Sequence, residues 1–200
     1  MKSITATTRK ELKKEIITNE AQKIFARYGL AKTSVDEIAK AARMGKASLY
    51  HYFESKEDIF KEVVEAEMRA LTEKIRQAVS RQSTPQKKIK ANIMVSVEQL
   101  GQMANIKSAL EDSYLDHHAF IKEIREKVFI HEIENIKEIL HEGVKSGAFK
   151  IRDIELTSFV IVAAIKSLLL HPRTQSLSAA EKERGIDKLL ELLFDGIGKR

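Results

Sequence analysis

Apolar residues recur at helical spacing along nearly all of this 200-residue chain. The first run places Leu12, Ile16, Ala21, Ile24, Phe25 and Tyr28 on one face of a helix that Gly29 ends. Ser34 and Glu37 have the spacing of a capping box and open a short helix that buries Val35, Ile38 and Ala42. Another short helix is expected from about Gly45 to Phe53. Ser55, followed by acidic Glu57 and Asp58, caps a long fourth helix with Ile59, Phe60, Val63, Val64, Met68, Leu71, Ile75 and Val79 inward. Residues 81–85 read as a linker, in which Thr84 and Pro85 start a fifth helix carrying Ile89, Ile93, Val97 and Leu100. A sixth short segment is expected around Ile106–Leu110, and a seventh helix from about Ala119 to Ser146, stopped by Gly147. Asp153 caps the eighth helix, which ends before Pro172, and Ser178 with Glu181 boxes the start of the ninth, through about Gly196. No period-two run is long enough to argue for a strand. The expected fold is therefore all-α.

Composition narrows what such a chain can do. There is no cysteine, which excludes a disulfide scaffold, a cysteine zinc site and a thiol nucleophile, and fits a reducing cytoplasm. The opening MKSITATTRKELKKE has no apolar run behind its charges, so no secretory signal is expected. The longest apolar stretch, Phe159–Ile165, is interrupted by Lys166 and Ser167 and is too short to span a bilayer. A Gly-rich phosphate loop, HExxH and GxSxG are all missing, so neither an enzyme nor a cofactor is expected. Asp112, Asp116, His117 and His118 do not make a metal site, because adjacent histidines on a helix point about 100° apart. Glu111, His131 and His141 lack ligand spacing as well.

Charge placement says more than the net charge of +6. Through Lys56 there are 12 Lys/Arg against 6 Asp/Glu, and beyond it 23 of each, so the whole excess lies in the first quarter of the chain. A localised cationic patch suits a polyanion, because each neutralised phosphate releases condensed counterions. Charge alone is equally met by a solvated basic face. The spacing of elements decides between them: two short helices joined by a tight turn and braced by a longer first helix describe a helix-turn-helix. Ile38, Ala39, Leu49 and Phe53 are its expected core. Lys46, Ala47, Ser48, Tyr50, His51 and Tyr52 are left as the less buried set, able to reach base edges and phosphates in a major groove.

Residues 33–60, TSVDEIAKAARMGKASLYHYFESKEDIF, resemble the DNA-binding signature of the TetR family, most specifically in Leu49–Phe53 followed by Ser55, Lys56 and Glu57. The resemblance implies a helix-turn-helix domain over 1–54 and an effector-binding and dimerisation domain over 55–200, joined by the helix from about 55 to 80. It implies phosphate contacts from Thr33 and Lys56, base reading by Lys46, Ala47 and Ser48, and backbone contact by Tyr50. His51 fits either contact or plain exposure. Lys2, Arg9, Lys10, Lys13 and Lys14 fit a DNA-touching arm or a solvated tail. Arg43 stands where the family usually has glycine, so it must take a conformation that suits glycine or turn differently, and it can gain a phosphate contact. Gly45 stands where the family has a Ser or Thr cap.

The eighth helix is apolar nearly all round and the ninth broadly so, more than one protomer's core requires. In the family these two helices pair with their copies. The expected homodimer interface is Phe159, Val162, Ile165, Leu169, Leu189, Leu193 and Phe194, its two-fold axis matching a palindromic operator. The resemblance also implies a site for a small hydrophobic or amphipathic effector, with Met94, Val97, Met103, Leu110, Tyr114, Phe120, Ile124 and Phe159 as candidate lining. The expected function is that of a repressor which binds double-stranded operator DNA as a dimer and is released by that effector. An enzyme, or an architectural DNA-binding protein without an effector, are the competing readings.

Overall fold

Five of the helices start where a short polar side chain satisfies a free amide of the first turn. Ser34 Oγ accepts from Glu37 N at 3.3 Å while Glu37 Oε2 accepts from Ser34 N at 2.8 Å. Asp58 N donates to Ser55 Oγ, Lys87 N to Thr84 Oγ1 and Leu156 N to Asp153 Oδ1. Ser178 and Glu181 repeat the reciprocal box. The computed structural model describes residues 6–112, 115–116, 118–170 and 176–197. Among these, nine helices follow in order: α1 Ala6–Lys32, α2 Val35–Ala41, α3 Lys46–Leu49, α4 Lys56–Ser80, α5 Pro85–Gln102, α6 Ala104–Glu111, α7 Ala119–Lys145, α8 Ile154–Leu170 and α9 Ala179–Ile197. The fold is all-α.

Two helix ends show how glycine sets direction. Gly29 takes φ 77° and ψ 165°, outside the helical region, so regular α1 stops there and a last turn follows through Lys32. Gly147, at φ 73°, ends α7 in a Schellman motif: Ala148 N donates to Gly143 O and Gly147 N to Val144 O. The chain then turns so that Phe149 lies on Gly143, where a Cβ would overlap the ring.

The contacts divide the chain into two compact units. The first holds the described residues through Ala70 together with Met103–Ile124. In it Ile17, Ala21 and Phe25 of α1 are buried, and Phe25, Phe60 and Phe120 form successive edge-to-face pairs at 5.2 and 6.4 Å. This moves the buried face of α1 from the expected one. Leu12 and Tyr28 are each 49% exposed, because the helix packs through Ile17 and Ala21.

A buried carboxylate ties this unit together. Glu67, only 3% exposed, accepts from Gln22 Nε2 (3.0 Å), Asn105 Nδ2 (2.6 Å) and Ile106 N (2.9 Å). Met103, which precedes α6, provides no side-chain cap, so a residue of α4 caps α6 from outside.

The second unit holds Leu71–Gln102 and the described residues from Arg125 onward. Its core is made by Ile89 and Ile93 of α5, Ile136, Ile139 and Leu140 of α7, Phe149, Ile161, Val162 and Ile165 of α8, and Ile186 and Leu190 of α9. No helix among the described residues is long and apolar enough to cross a membrane.

Candidate nucleic-acid interface

The capping box of α2 sets the entry angle of the helix-turn-helix, and its electrostatics favour the charged box. The amide and hydroxyl of Ser34 stabilise the Glu37 carboxylate and lower its pKa. This contribution to folding is therefore present above the carboxylate's unfolded pKa and fades as pH falls through the lowered one. Behind the box Ile38, Ala39, Ala42, Leu49 and Phe53 are buried as expected, and the small Ala39 lies where α2 and α3 pack.

The turn carries the chain's strain. Arg43 has φ 53°, the sole positive φ outside glycine among the described residues, with Met44 N donating to Ala39 O and Arg43 N to Lys40 O. Arg43 thus occupies the left-handed position that glycine fills without cost. For a side-chain-bearing residue that conformation costs roughly 1–2 kcal/mol, offset in part by the greater unfolded-state entropy of glycine. Arg43→Gly is therefore expected to raise stability, by up to about 1 kcal/mol, in denaturant unfolding. A destabilised variant would show that the arginine side chain makes a compensating contact.

After Gly45 in extended conformation, α3 is regular only from Lys46 to Leu49. The expected continuation to Phe53 is tightened instead. His51 N donates to Ser48 O and Tyr52 N to Leu49 O, three-residue spacings that swing Phe53 into the core.

The side chains singled out from the sequence divide into two sets. Arg43, Lys46, Ala47, Ser48, Tyr50 and His51 are exposed on the turn and α3. Thr33 and Lys56 are engaged internally. Thr33 is buried and donates from Oγ1 to Gly29 O, while Lys56 Nζ donates to Leu30 O at 2.8 Å and Thr33 O at 2.9 Å. Lys56 therefore satisfies one carbonyl of the last turn of α1 and one just beyond it, a role that no local pattern reveals because its partners lie more than twenty residues earlier. Two acidic groups also escaped the sequence reading. One is Glu67; the other is Asp36, whose Oδ2 lies 2.8 Å from Lys46 Nζ. Asp36 raises the Lys46 pKa by hydrogen bonding and by its charge.

The family model for bacterial regulatory proteins of the tetR family matches residues 17–63, from α1 through the helix-turn-helix into α4. Over those residues the chain is similar to the TetR family. The uncharacterised helix-turn-helix-type regulator YhgD of Bacillus subtilis is 27% identical over 158 residues, covering 78% of this chain and 82% of that protein. A transcriptional regulator from Cytophaga hutchinsonii has the same fold, with TM-score 0.75 and 23% identity over 92% of this chain and 98% of the other. So does the regulator FadR of Bacillus subtilis in complex with stearoyl-CoA, with TM-score 0.71 and 21% identity over 88% and 96% of the two chains. The similarity thus covers the helix-turn-helix segment by sequence and the all-α fold by structure.

The remaining expected positions distribute as follows. Of the effector set, Met94 and Val97 pack against the core of the second unit and Phe159 is exposed there. Met103 and Ile124 are buried, and Leu110 and Phe120 half-buried, in the first unit. Tyr114 lies outside the described residues, as do His117 and Pro172. Of the dimer set, Val162 and Ile165 are buried in the protomer's own core. Leu189, Leu193 and Phe194 pack partly on that core, and the Leu169 side chain lies outside the described residues. The apolar groups left in solvent are instead Leu156 (58% exposed), Val160 (54%) and Phe159 on α8, and Leu192 (63%) on α9. An apolar helix has to bury one stripe and leave another, and tertiary packing chose the stripe containing Val162 and Ile165.

Proposed function

We propose that this protein is a TetR-family repressor that binds a palindromic operator as a homodimer and is released by a small hydrophobic or amphipathic effector. The observation that carries the reading is the exposed row Lys46, Ala47, Ser48, Tyr50 and His51 on a helix-turn-helix whose apolar side is fully buried. Arg43 stands beside it, and the cationic excess of the chain lies in the same quarter. In a major groove, Lys46 and Ser48 reach base edges while Arg43, Tyr50 and Lys56 meet the backbone. Lys56 and Thr33 then act partly by holding the end of α1 against the start of α4.

Dimerisation is supported by the exposed stripe Leu156, Phe159 and Val160, which has the i, i+3, i+4 spacing of one helix face, and by Leu192. An amphipathic effector is supported by polar side chains buried among aliphatic ones on α5. Asn92 and Gln99 are both buried, and Asn92 Nδ2 has no hydrogen-bond partner among the described residues. The acyl-CoA bound by the related FadR fits that chemistry. Release requires the effector to prefer the DNA-free state, since equal affinity for both would switch nothing.

The test is a gel shift on the duplex upstream of the protein's own gene, with salt titration, beside a thermal-shift screen of lipophilic compounds that includes stearoyl-CoA. Steep salt dependence with specific competition supports the reading. Lys56→Ala should weaken binding to all sequences alike, by about 1 kcal/mol or slightly more, whereas substitutions of Lys46 or Ser48 should alter sequence preference. Indifference to every duplex at low salt would overturn it.

A further inference from the structure

The helix-turn-helix carries an exposed carboxylate beside a lysine expected to meet DNA. Asp36 lies in the first turn of α2, exposed, and its carboxylate holds the ammonium of Lys46 at the start of α3 at 2.8 Å. The other acid of that turn, Glu37, is committed to the capping box with Ser34. Asp36 makes no such capping bond, and its hydrogen bond is to the lysine expected to read bases.

We propose that Asp36 is a specificity-determining residue, which acts through Lys46 by suppressing its contacts with phosphate while allowing its contacts with a base edge. This rests on the reading of Lys46 as a DNA contact. The argument is one of donors and charge. If Lys46 leaves Asp36 for a phosphate, a bare carboxylate is left facing a polyanion. If Lys46 stays, the pair is neutral overall and releases no counterion. Either way, sequence-independent binding loses about one phosphate contact. A guanine edge differs, because an ammonium has three N–H donors. Lys46 can donate to guanine O6 or N7 and still donate to Asp36 Oδ2, so the pair survives only at a matching base. An exposed pair of this kind is weak enough to rearrange on binding and strong enough to bias affinity a few-fold. Asp36 favours the charged form of Lys46, so the device depends on geometry and not on deprotonation.

The experiment uses the full chain as wild type, Asp36→Asn, Lys46→Ala and the double variant. Each is measured by fluorescence anisotropy against a mixed-sequence duplex from about 50 to about 200 mM salt. Each is also measured against a duplex selected by the wild type from a randomised pool. Asp36→Asn should bind mixed-sequence DNA about fivefold more tightly, with a log–log salt slope steeper by about 0.9. Its preference for the selected duplex over mixed sequence should fall by a similar factor. In the Lys46→Ala background the same substitution should gain clearly less, because it then only relieves repulsion by the carboxylate and frees no ammonium, and the melting temperatures should stay close, because the Ser34–Glu37 box is intact. The proposal is overturned if Asp36→Asn leaves slope and affinity unchanged, or raises affinity for both duplexes equally. It is overturned too if the gain persists undiminished without Lys46, which would make the effect one of bulk charge. A wild type that binds no duplex would remove the DNA-binding reading and this inference together. A wild type that binds while Asp36→Asn changes nothing removes the inference alone.

Discussion

Glu67→Ala should destabilise the first unit by about 3 kcal/mol. The wild-type carboxylate is acceptor to an amide side chain of α1, an amide side chain of α6 and the backbone of α6. Truncation takes this acceptor from Ile106 N and from the half-buried Gln22 amide, and leaves Asn105 Nδ2 with Gln22 O alone. A buried donor left unmet costs roughly 1–3 kcal/mol. Part of that total is returned, since the mutant no longer keeps a charge out of water. Glu67→Gln should fall between wild type and alanine: its amide oxygen still accepts, but its NH2 group turns a donor toward one of the original donors. Denaturant unfolding with both variants measures the effect, and hydrogen exchange locates it. Amides 105–107 at the start of α6 should lose protection more than those of α9, in the other unit. An alanine variant within about 0.5 kcal/mol of wild type would show that the network adds nothing to stability.

On the pairing proposed through α8 and α9, the double substitution Val160→Glu and Leu192→Glu should leave the protomer folded and abolish the dimer. Both side chains are mostly solvent-exposed in the protomer, so the charges cost little there. In a paired state each protomer would bury two carboxylates against an apolar partner, at several kcal/mol per uncompensated charge. Sedimentation should show a change from dimer to single protomer with the melting transition of the protomer retained. Operator affinity should then drop by about a hundredfold or more, because linking two half-site contacts contributes on the order of 10² to 10⁴ in avidity. Val162→Glu is the contrast: Val162 lies in the core, so this variant should fail to fold. A double variant that remains dimeric and binds DNA normally would remove α8 and α9 from the interface.

Much of the architecture was legible in residues three or four apart. Ser34 with Glu37, Ser55 before Asp58, Thr84 with Pro85, Asp153, and Ser178 with Glu181 all cap helices where expected. Of the two courses open to Arg43 at a family glycine position, it takes the left-handed geometry. The exposed row on α3 followed from knowing which of its residues are large and apolar. Other features were not legible. Thr33 and Lys56 were expected at phosphates, and their internal bonds depend on where the carbonyls at the end of α1 and just beyond it point. Asp36 and Lys46 meet only because the turn brings the start of α2 beside the start of α3.

By itself, then, the sequence determined that the chain is helical, where the helices begin and stop, and that a cationic helix-turn-helix opens it. Those properties arise from caps, glycines and charges acting within a turn or two of helix. Tertiary structure alone decided which stripe of α1 and of α8 is buried, and that Glu67 on α4 caps α6. An apolar face can be satisfied by any adjacent apolar surface, and a buried carboxylate by any donors brought to it. For Glu67 those donors lie 38 or more residues away along the chain, beyond the reach of any local signal.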